Sequence, residues 1–291
     1  MSRIEELNTD LALERVPQSD SAKRINGADI SVTTKNGCTV TDITVRSEPA
    51  ISIIGKPAGR YITIEVDEQT KEDDIAVSLS EQILKLTGDN VASVLVAGLG
   101  NRDIPADSLG TRCVDGICVT RLLSEYAGFV AGVNVSAVAP GVLGDTGMET
   151  AEILNGICSI TQPETVIAID SLCARDVHRI ATTYQLTDTG ISPGAGLGNN
   201  RRSLNEQTLG RRVIGIGVPT VVYARTVCHN VLEMLARKSV DYSQGAIDGV
   251  MSELDDELIN SLVVTPKDID TMCDTSARII SRAINIAFGG C

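Results

Sequence analysis

Three short apolar runs, SVLVAGL (93–99), TVIAID (165–170) and RVIGIGVP (212–219), constrain this chain more than any other feature. Each is short for a helix, rich in β-branched residues, and lacks the apolar-polar alternation of a strand with one wet face. A strand that is apolar at nearly every position is buried on both sides, as in a parallel sheet covered by helices. The sequence between the runs has helical character: IAVSLSEQILKL (75–86), residues 108–127, METAEILNGICSI (148–160) opened by a capping box from Thr146 to Glu149, and TVVYARTVCHNVLEMLARK (220–238). VNVSAVAP (133–140) reads as a further strand and the C-terminal third as helices packed on the sheet. The expected fold class is α/β, with a largely parallel sheet flanked by helices.

From Ala28 to Val66 the period changes to β. ISVTT and CTVTDITV flank Asn36-Gly37, a pair suited to the positive φ angles of a tight hairpin turn. ISIIG and YITIEV flank Lys56-Pro57-Ala58-Gly59 and read as a second hairpin, so residues 28–66 form a β-rich subdomain or an N-terminal β extension. The first ten residues read as a mobile acidic tail, and 15–24, polar around Pro17, as a linker.

A chain of 291 residues that is 43% hydrophobic and 22% charged can bury a full core. Its formal charge of -13 disfavours direct nucleic-acid binding, which needs clustered Lys and Arg to displace counterions. The eight cysteines are irregularly spaced, with Cys113 and Cys118 the closest pair and no C-x-x-C, so they read as buried free thiols. The first residues, MSRIEELNTDLALER, are too polar for a signal peptide, and no apolar run approaches the roughly 20 residues of a membrane span. A cytoplasmic protein without membrane contact is expected.

Ligand crevices of parallel α/β sheets lie beyond the carboxyl ends of the strands. Asp107 falls in the loop after SVLVAGL and Asp170 at the end of TVIAID, so two strand ends bring carboxylates to one edge of the sheet. Either can simply cap the helix that follows it. If the strands are neighbours, mutual repulsion raises one pKa, and one member can activate water while the other polarises a carbonyl. A metal set of Asp107, Asp170 and either His178 or His229 is also chemically legal. Gly190, Ser192 and Gly194 have G-x-S-x-G spacing, but the Pro and Gly residues behind the serine make a loop rather than a nucleophile elbow. No glycine cluster completes a nucleotide fingerprint. Arg201, Arg202, Arg211 and Arg212 form two basic pairs, solvated or available to an acidic peptide side chain.

Several segments together resemble the germination protease family, spore endopeptidases that degrade small acid-soluble spore proteins. They are TDLALE, GKPAGRYITIE, LVAGLGNRDIPADSLGTR, SAVAPGVLGDTGMETAEILNGI, TVIAIDSLCARD, QLTDTGISPGAGLGNNRRSLNEQTLG and VIGIGVPTVV, in the family's order over most of residues 9–225. The resemblance implies an atypical aspartic peptidase whose two catalytic aspartates fall on Asp107 and Asp170. It further implies a homotetramer without a cofactor, acting in the spore core, and a zymogen that cleaves itself between Asp10 and Leu11. Residues 1–10 would then be a propeptide and 11–291 a single peptidase domain. The GLGN…D…G pattern is also similar to that of hydrogenase maturation endopeptidases, which read a bound metal, so a maturation endopeptidase remains an alternative, as does a non-catalytic α/β binding protein. Arg102-Asp103 stands where the family usually shows Asn-Trp or similar after GLGN, and the added acid is expected to bias substrate choice or the pKa of Asp107.

Overall fold

The computed structural model describes residues 9–17, 25–88, 90–122, 132–194, 201–238, 249, 259 and 261–289. Its elements are β1 (Ala28–Lys35), β2 (Cys38–Val45), α1 (Ala50–Ile54), β3 (Gly59–Val66), α2 (Glu72–Thr87), β4 (Ser93–Gly98), α3 (Leu109–Asp115), β5 (Asn134–Val138), α4 (Leu143–Thr146) and α5 (Thr150–Thr161). β6 (Thr165–Ala174), β7 (Thr183–Thr187), α6 (Glu206–Leu209), β8 (Arg212–Tyr223), α7 (Ala224–Lys238), β9 (Val263–Val264) and α8 (Ile269–Phe288) complete them. All nine strands join one sheet in the order β1-β2-β3-β7-β8-β6-β4-β5, with β9 on the far end of β8. Pairing is parallel across β5-β4-β6-β8 and antiparallel everywhere else.

The three apolar runs are β4, β6 and the first part of β8, adjacent in the parallel half. Alternate residues explain why they carry no polar face. Val94, Val96, Ile167, Ile169, Ile214 and Ile216 pack under α2, α3 and α8, through Leu79, Ile83, Leu109, Ile280 and Ile284. Leu95, Ala97, Val166, Ala168 and Val213 pack on the other side against Leu154 and Cys158 of α5. Both faces are thus dry, and each fully buried aliphatic side chain stabilises by roughly 1.5–3 kcal/mol.

The N-terminal strands continue this sheet, because β3 pairs β7 and β7 pairs β8. The Asn36-Gly37 hairpin forms as read, with both residues at positive φ (52° and 76°). The second expected hairpin does not. ISII lies in α1, where Ala50 and Ile54, four apart, bury one face and Gly55 closes the turn at φ 64°. Four consecutive residues of strand-like composition are outweighed here by burial at helical spacing. β7 escaped the sequence reading; five residues give too short a pattern to separate from a loop.

Other boundaries move for local reasons. α3 stops at Asp115, well short of residue 127, as Gly116 follows and residues 116–122 are not helical. α5 is opened by a reciprocal box between Glu149 and Glu152, while Thr146 ends the separate α4. The β-branched Thr220, Val221 and Val222 extend β8 rather than starting α7, and Val222 and Tyr223 pair with β9. Six of the described cysteines are free thiols, five of them buried, whereas Cys118 is disulfide-bonded, contrary to the expectation for it.

The largest departure concerns the tail. Residues 1–8 and 18–24 lie outside the described residues, but Thr9–Arg15 is a docked strap rather than a mobile end. Leu11 and Ala12 are completely buried, and Leu11 packs among Leu172, Ala174, Ile180, Val222, Ile269 and Cys273.

Candidate active site

Asp107 is held by backbone close to the sheet. β4 ends at Gly98, and the Leu99 N–H then bonds the Ile169 carbonyl of β6 at 2.8 Å. Gly100 turns the chain at φ 96°, where a Cβ would stand 2.0 Å from the Asp107 carbonyl oxygen. The turn returns Asp107 to its own start: Oδ2 accepts the Asn101 N–H at 2.8 Å. Behind it, α3 presses its first turn onto the strand ends, since a Cβ on Gly110 would lie 2.4 Å from the Ile169 oxygen and 2.5 Å from Leu99. β8 adds a tether. Pro219 cannot donate to a ladder, the register slips so that Thr220 is skipped, and the freed Thr220 Oγ1 donates to the Ala106 carbonyl at 2.6 Å.

Asp170 sits within β6, only 5% exposed, and its Oδ1 accepts the Ser171 N–H at 2.9 Å. It pairs across to Gly217 of β8, which pairs onward to Gln185 of β7. Asp107 lies at the end of the neighbouring strand, and the two carboxylates line one cavity of about 240 Å³ together with Asp10, Arg201, Pro193 and Thr220. Burial, then repulsion from Asp107 and Asp10, pushes the Asp170 carboxyl well above the ordinary carboxylate range. Asp107 is half-buried; burial raises it too, opposed by the Asn101 N–H and the Arg201 charge. Two carboxyls of unequal environment against one cavity are an arrangement for acid and base work.

The strap crosses the same place. Asp10 donates its N–H to the Cys173 carbonyl and accepts the Cys173 N–H on Oδ2, both at 2.9 Å, three residues beyond Asp170. Gln185 Nε2 donates to the Asp10 carbonyl at 3.0 Å, and its Oε1 accepts the Ala12 N–H at 2.7 Å. Downstream, Glu14 accepts the N–H groups of Arg175 (2.7 Å) and Asp176 (2.9 Å) and the Thr9 hydroxyl. The Arg179 guanidinium lies 3.2 Å from Glu14, an ion pair without hydrogen-bond alignment. A second cavity, of about 210 Å³, adjoins the strap and is lined by Asp10, Lys56, Tyr61, Asp170, Gln185 and Ser192 among others. Burial lowers the Lys56 ammonium pKa, and the neighbouring Asp10 charge raises it.

The other candidates fall elsewhere. Ser192 Oγ bonds Ser203 Oγ at 2.7 Å, and no histidine lines either cavity. His178 is exposed on the turn Val177–Arg179, and His229 is buried in α7. Among the described residues no three His, Cys, Asp or Glu side chains are grouped to hold a metal ion. Residues 195–200 of the glycine-rich stretch lie outside the described ones. Asp103 is exposed, and the influences on Asp107 are those of burial, Asn101 and Arg201 rather than Asp103. Arg102 instead forks onto Asp115 at 2.8 and 2.9 Å, stapling the loop to α3. Lys56 and Gln185 were not singled out from sequence; nothing marks a lone Lys or Gln until strands far apart in the chain are placed side by side.

The sequence profile of the germination protease family matches residues 5–244. The chain belongs to that family. The chain is therefore a peptidase, and it is 39% identical to the germination protease of Caldanaerobacter subterraneus subsp. tengcongensis over 97% of this chain and 94% of that one. It is 39% identical to that of Clostridium acetobutylicum (97% and 94%) and 34% identical to that of Bacillus velezensis (97% and 93%). A solved structure of the [NiFe] hydrogenase maturation protease HycI from Thermococcus kodakarensis KOD1 aligns over 70% of this chain and 99% of its own length, at 13% identity and a TM-score of 0.37. Among the described residues no helix is long and apolar enough to cross a membrane.

Proposed function

We propose that this chain is an endopeptidase made as a zymogen, in which Asp107 and Asp170 activate water, and that its substrates are small acid-soluble spore proteins. The observation that supports the reading is the strap: Asp10 lines the same cavity as both carboxylates, and its carbonyl is held by Gln185. Asp107, half-buried and steadied by an N–H and the Arg201 charge, is the more readily ionised and acts as base towards water. Asp170, the more strongly shifted, keeps its proton and delivers it to the nitrogen of Leu11 as the carbon–nitrogen bond breaks. Water supplies the hydroxyl of the new Asp10 carboxyl.

Scission there divides the chain into a propeptide, 1–10, and a peptidase domain, 11–291. The two sides are held differently. Asp10 rests on hydrogen bonds from Cys173 and Gln185, whereas Leu11 is sealed in an apolar pocket and Glu14 in a cradle of two N–H groups and a guanidinium. The released piece would vacate the cavities beside Asp170, opening them to a substrate. A homotetramer in the spore core, with no cofactor and no nucleic-acid or membrane partner, completes the reading.

Intact mass and N-terminal sequencing test it. The wild-type chain is expected to lose residues 1–10 and begin at Leu11, while Asp107→Asn alone keeps Met1. Scission at another bond, or equal processing of Asp107→Asn in isolation, overturns it.

A further inference from the structure

We propose that Gln185 is a catalytic residue of this protease, its side-chain amide bridging the scissile peptide so that Nε2–H stabilises the carbonyl oxygen as it becomes an oxyanion. The proposal rests on the reading that Asp10–Leu11 is the bond cut.

Both ends of one planar amide are engaged, and they straddle that bond. Nε2 donates to the Asp10 carbonyl at 3.0 Å, and Oε1 accepts the Ala12 N–H at 2.7 Å. The first contact touches the atom that gains negative charge when water attacks. The second anchors the chain two residues on, so the carbonyl cannot slide along the donor. Gln185 is only 7% exposed, and its neighbours in β7, Tyr184 and Leu186, are buried in the main core. The amide is therefore fixed before reaction begins, the condition under which such a donor lowers a barrier without reorganising.

Its position across the sheet agrees. Asp170, Gly217 and Gln185 stand on one rung of three adjacent strands, so Asp170 and Gln185 project from the same face about 10 Å apart at the usual strand spacing. Both side chains line the cavity that Asp10 also lines. A neutral donor also suits a cavity that holds Asp10 and Asp170. Lysine or arginine at this place would pair with those carboxylates, and a third carboxylate would add repulsion.

The test separates catalysis from docking in the full-length chain. Gln185→Glu preserves the acceptor for the Ala12 N–H but at neutral pH removes the donor to the carbonyl; Gln185→Leu removes both. Self-scission is timed by intact mass, and strap docking is read from hydrogen exchange at residues 9–14. Gln185→Glu is expected to slow scission by about 10²–10³-fold, well beyond the loss of strap protection that its added carboxylate causes beside Asp10 and Asp170. Its rate relative to wild type should climb as pH falls, because the introduced carboxyl, facing Asp10, Asp170, Lys56 and Tyr61, becomes a donor when protonated. Wild-type scission rates in Gln185→Glu or Gln185→Leu overturn the proposal. So does slowing matched by an equal loss of strap protection, which would make Gln185 a docking residue only. A wild-type chain cut at a bond other than Asp10–Leu11 is distinguishable from both, since it overturns the scission reading first and this assignment with it.

Discussion

The parallel and antiparallel halves of the sheet bring different chemistry to one place. The parallel half, β5-β4-β6-β8, delivers acid: Asp107 beyond the end of β4 and Asp170 within β6. The antiparallel half delivers neutral and cationic groups: Gln185 from β7, Tyr61 from β3 and Lys56 from the turn before it. The strap lies where they meet, bonded to Cys173 of β6 on one side and to Gln185 of β7 on the other. On the proposed reading the parallel half supplies the groups that exchange protons, and the antiparallel half supplies the amide that meets the peptide carbonyl.

Damage to the parallel half should have the largest effect. Asp107→Asn and Asp170→Asn are each expected to lower peptide cleavage by at least about 10³-fold while the fold persists. The double variant should be little worse than either single one, because members of a catalytic set fail together. Cleavage of a spore-protein peptide, with circular dichroism to confirm folding, checks both points. If each substitution costs tenfold and the pair costs a hundredfold, the carboxylates act independently and the division between the halves is wrong.

A subtler break is in the backbone that aims Asp107. Gly100→Ala places a methyl 2.0 Å from the Asp107 carbonyl oxygen at φ 96° and so must move the turn that carries Asp107. A displacement of about 1 Å is enough for roughly a hundredfold loss in turnover. Gly156→Ala is the matched control: it lies within α5 with nothing within 4 Å, and should leave turnover alone while stabilising the fold by about 0.5–1 kcal/mol. Equal activities for the two variants would show that the turn does not position Asp107.

The same contrast explains what the sequence made legible. Parallel strands buried on both faces announce themselves as unbroken apolar runs, and strand ends are where such folds carry ligands. Asp107 and Asp170 could therefore be named from spacing and family resemblance. Gln185 and Lys56 could not, because their meeting with Asp10 depends on β7 inserting antiparallel between β3 and β8, and five residues announce nothing. α1 was misread for a related reason: a few β-branched residues favour a strand only until a neighbour offers helical burial. The strap was misread from its polarity. Asp10 and Glu14 suggest solvent, yet the first is met by the backbone N–H of Cys173 and the second by those of Arg175 and Asp176, which are in place only once β6 and the turn after it are folded.

The smallest expected effect sharpens the comparison from the side of stability. A carboxyl whose folded pKa is raised favours the fold when protonated, and that contribution is lost as pH rises from the unfolded value, about 3.9, through the raised folded one. Asp170 is raised first by burial and then by Asp107 and Asp10, so the unprocessed chain should lose stability across that window. The measurement belongs in the Asp107→Asn background, where self-scission is expected to be blocked while the burial of Asp170 remains. Asn cannot ionise and so mimics the protonated group. Adding Asp170→Asn should leave Tm unchanged at the acid end, raise it by a few degrees at neutral pH, and flatten its pH dependence between them. The antiparallel side gives the opposite control: Gln185 does not titrate, and Gln185→Leu in the same background should shift Tm by a similar amount at every pH. If Asp170→Asn instead lowers Tm at neutral pH, the buried carboxylate is a net stabilising group, and the view that the parallel half gives up stability to hold its acid is wrong.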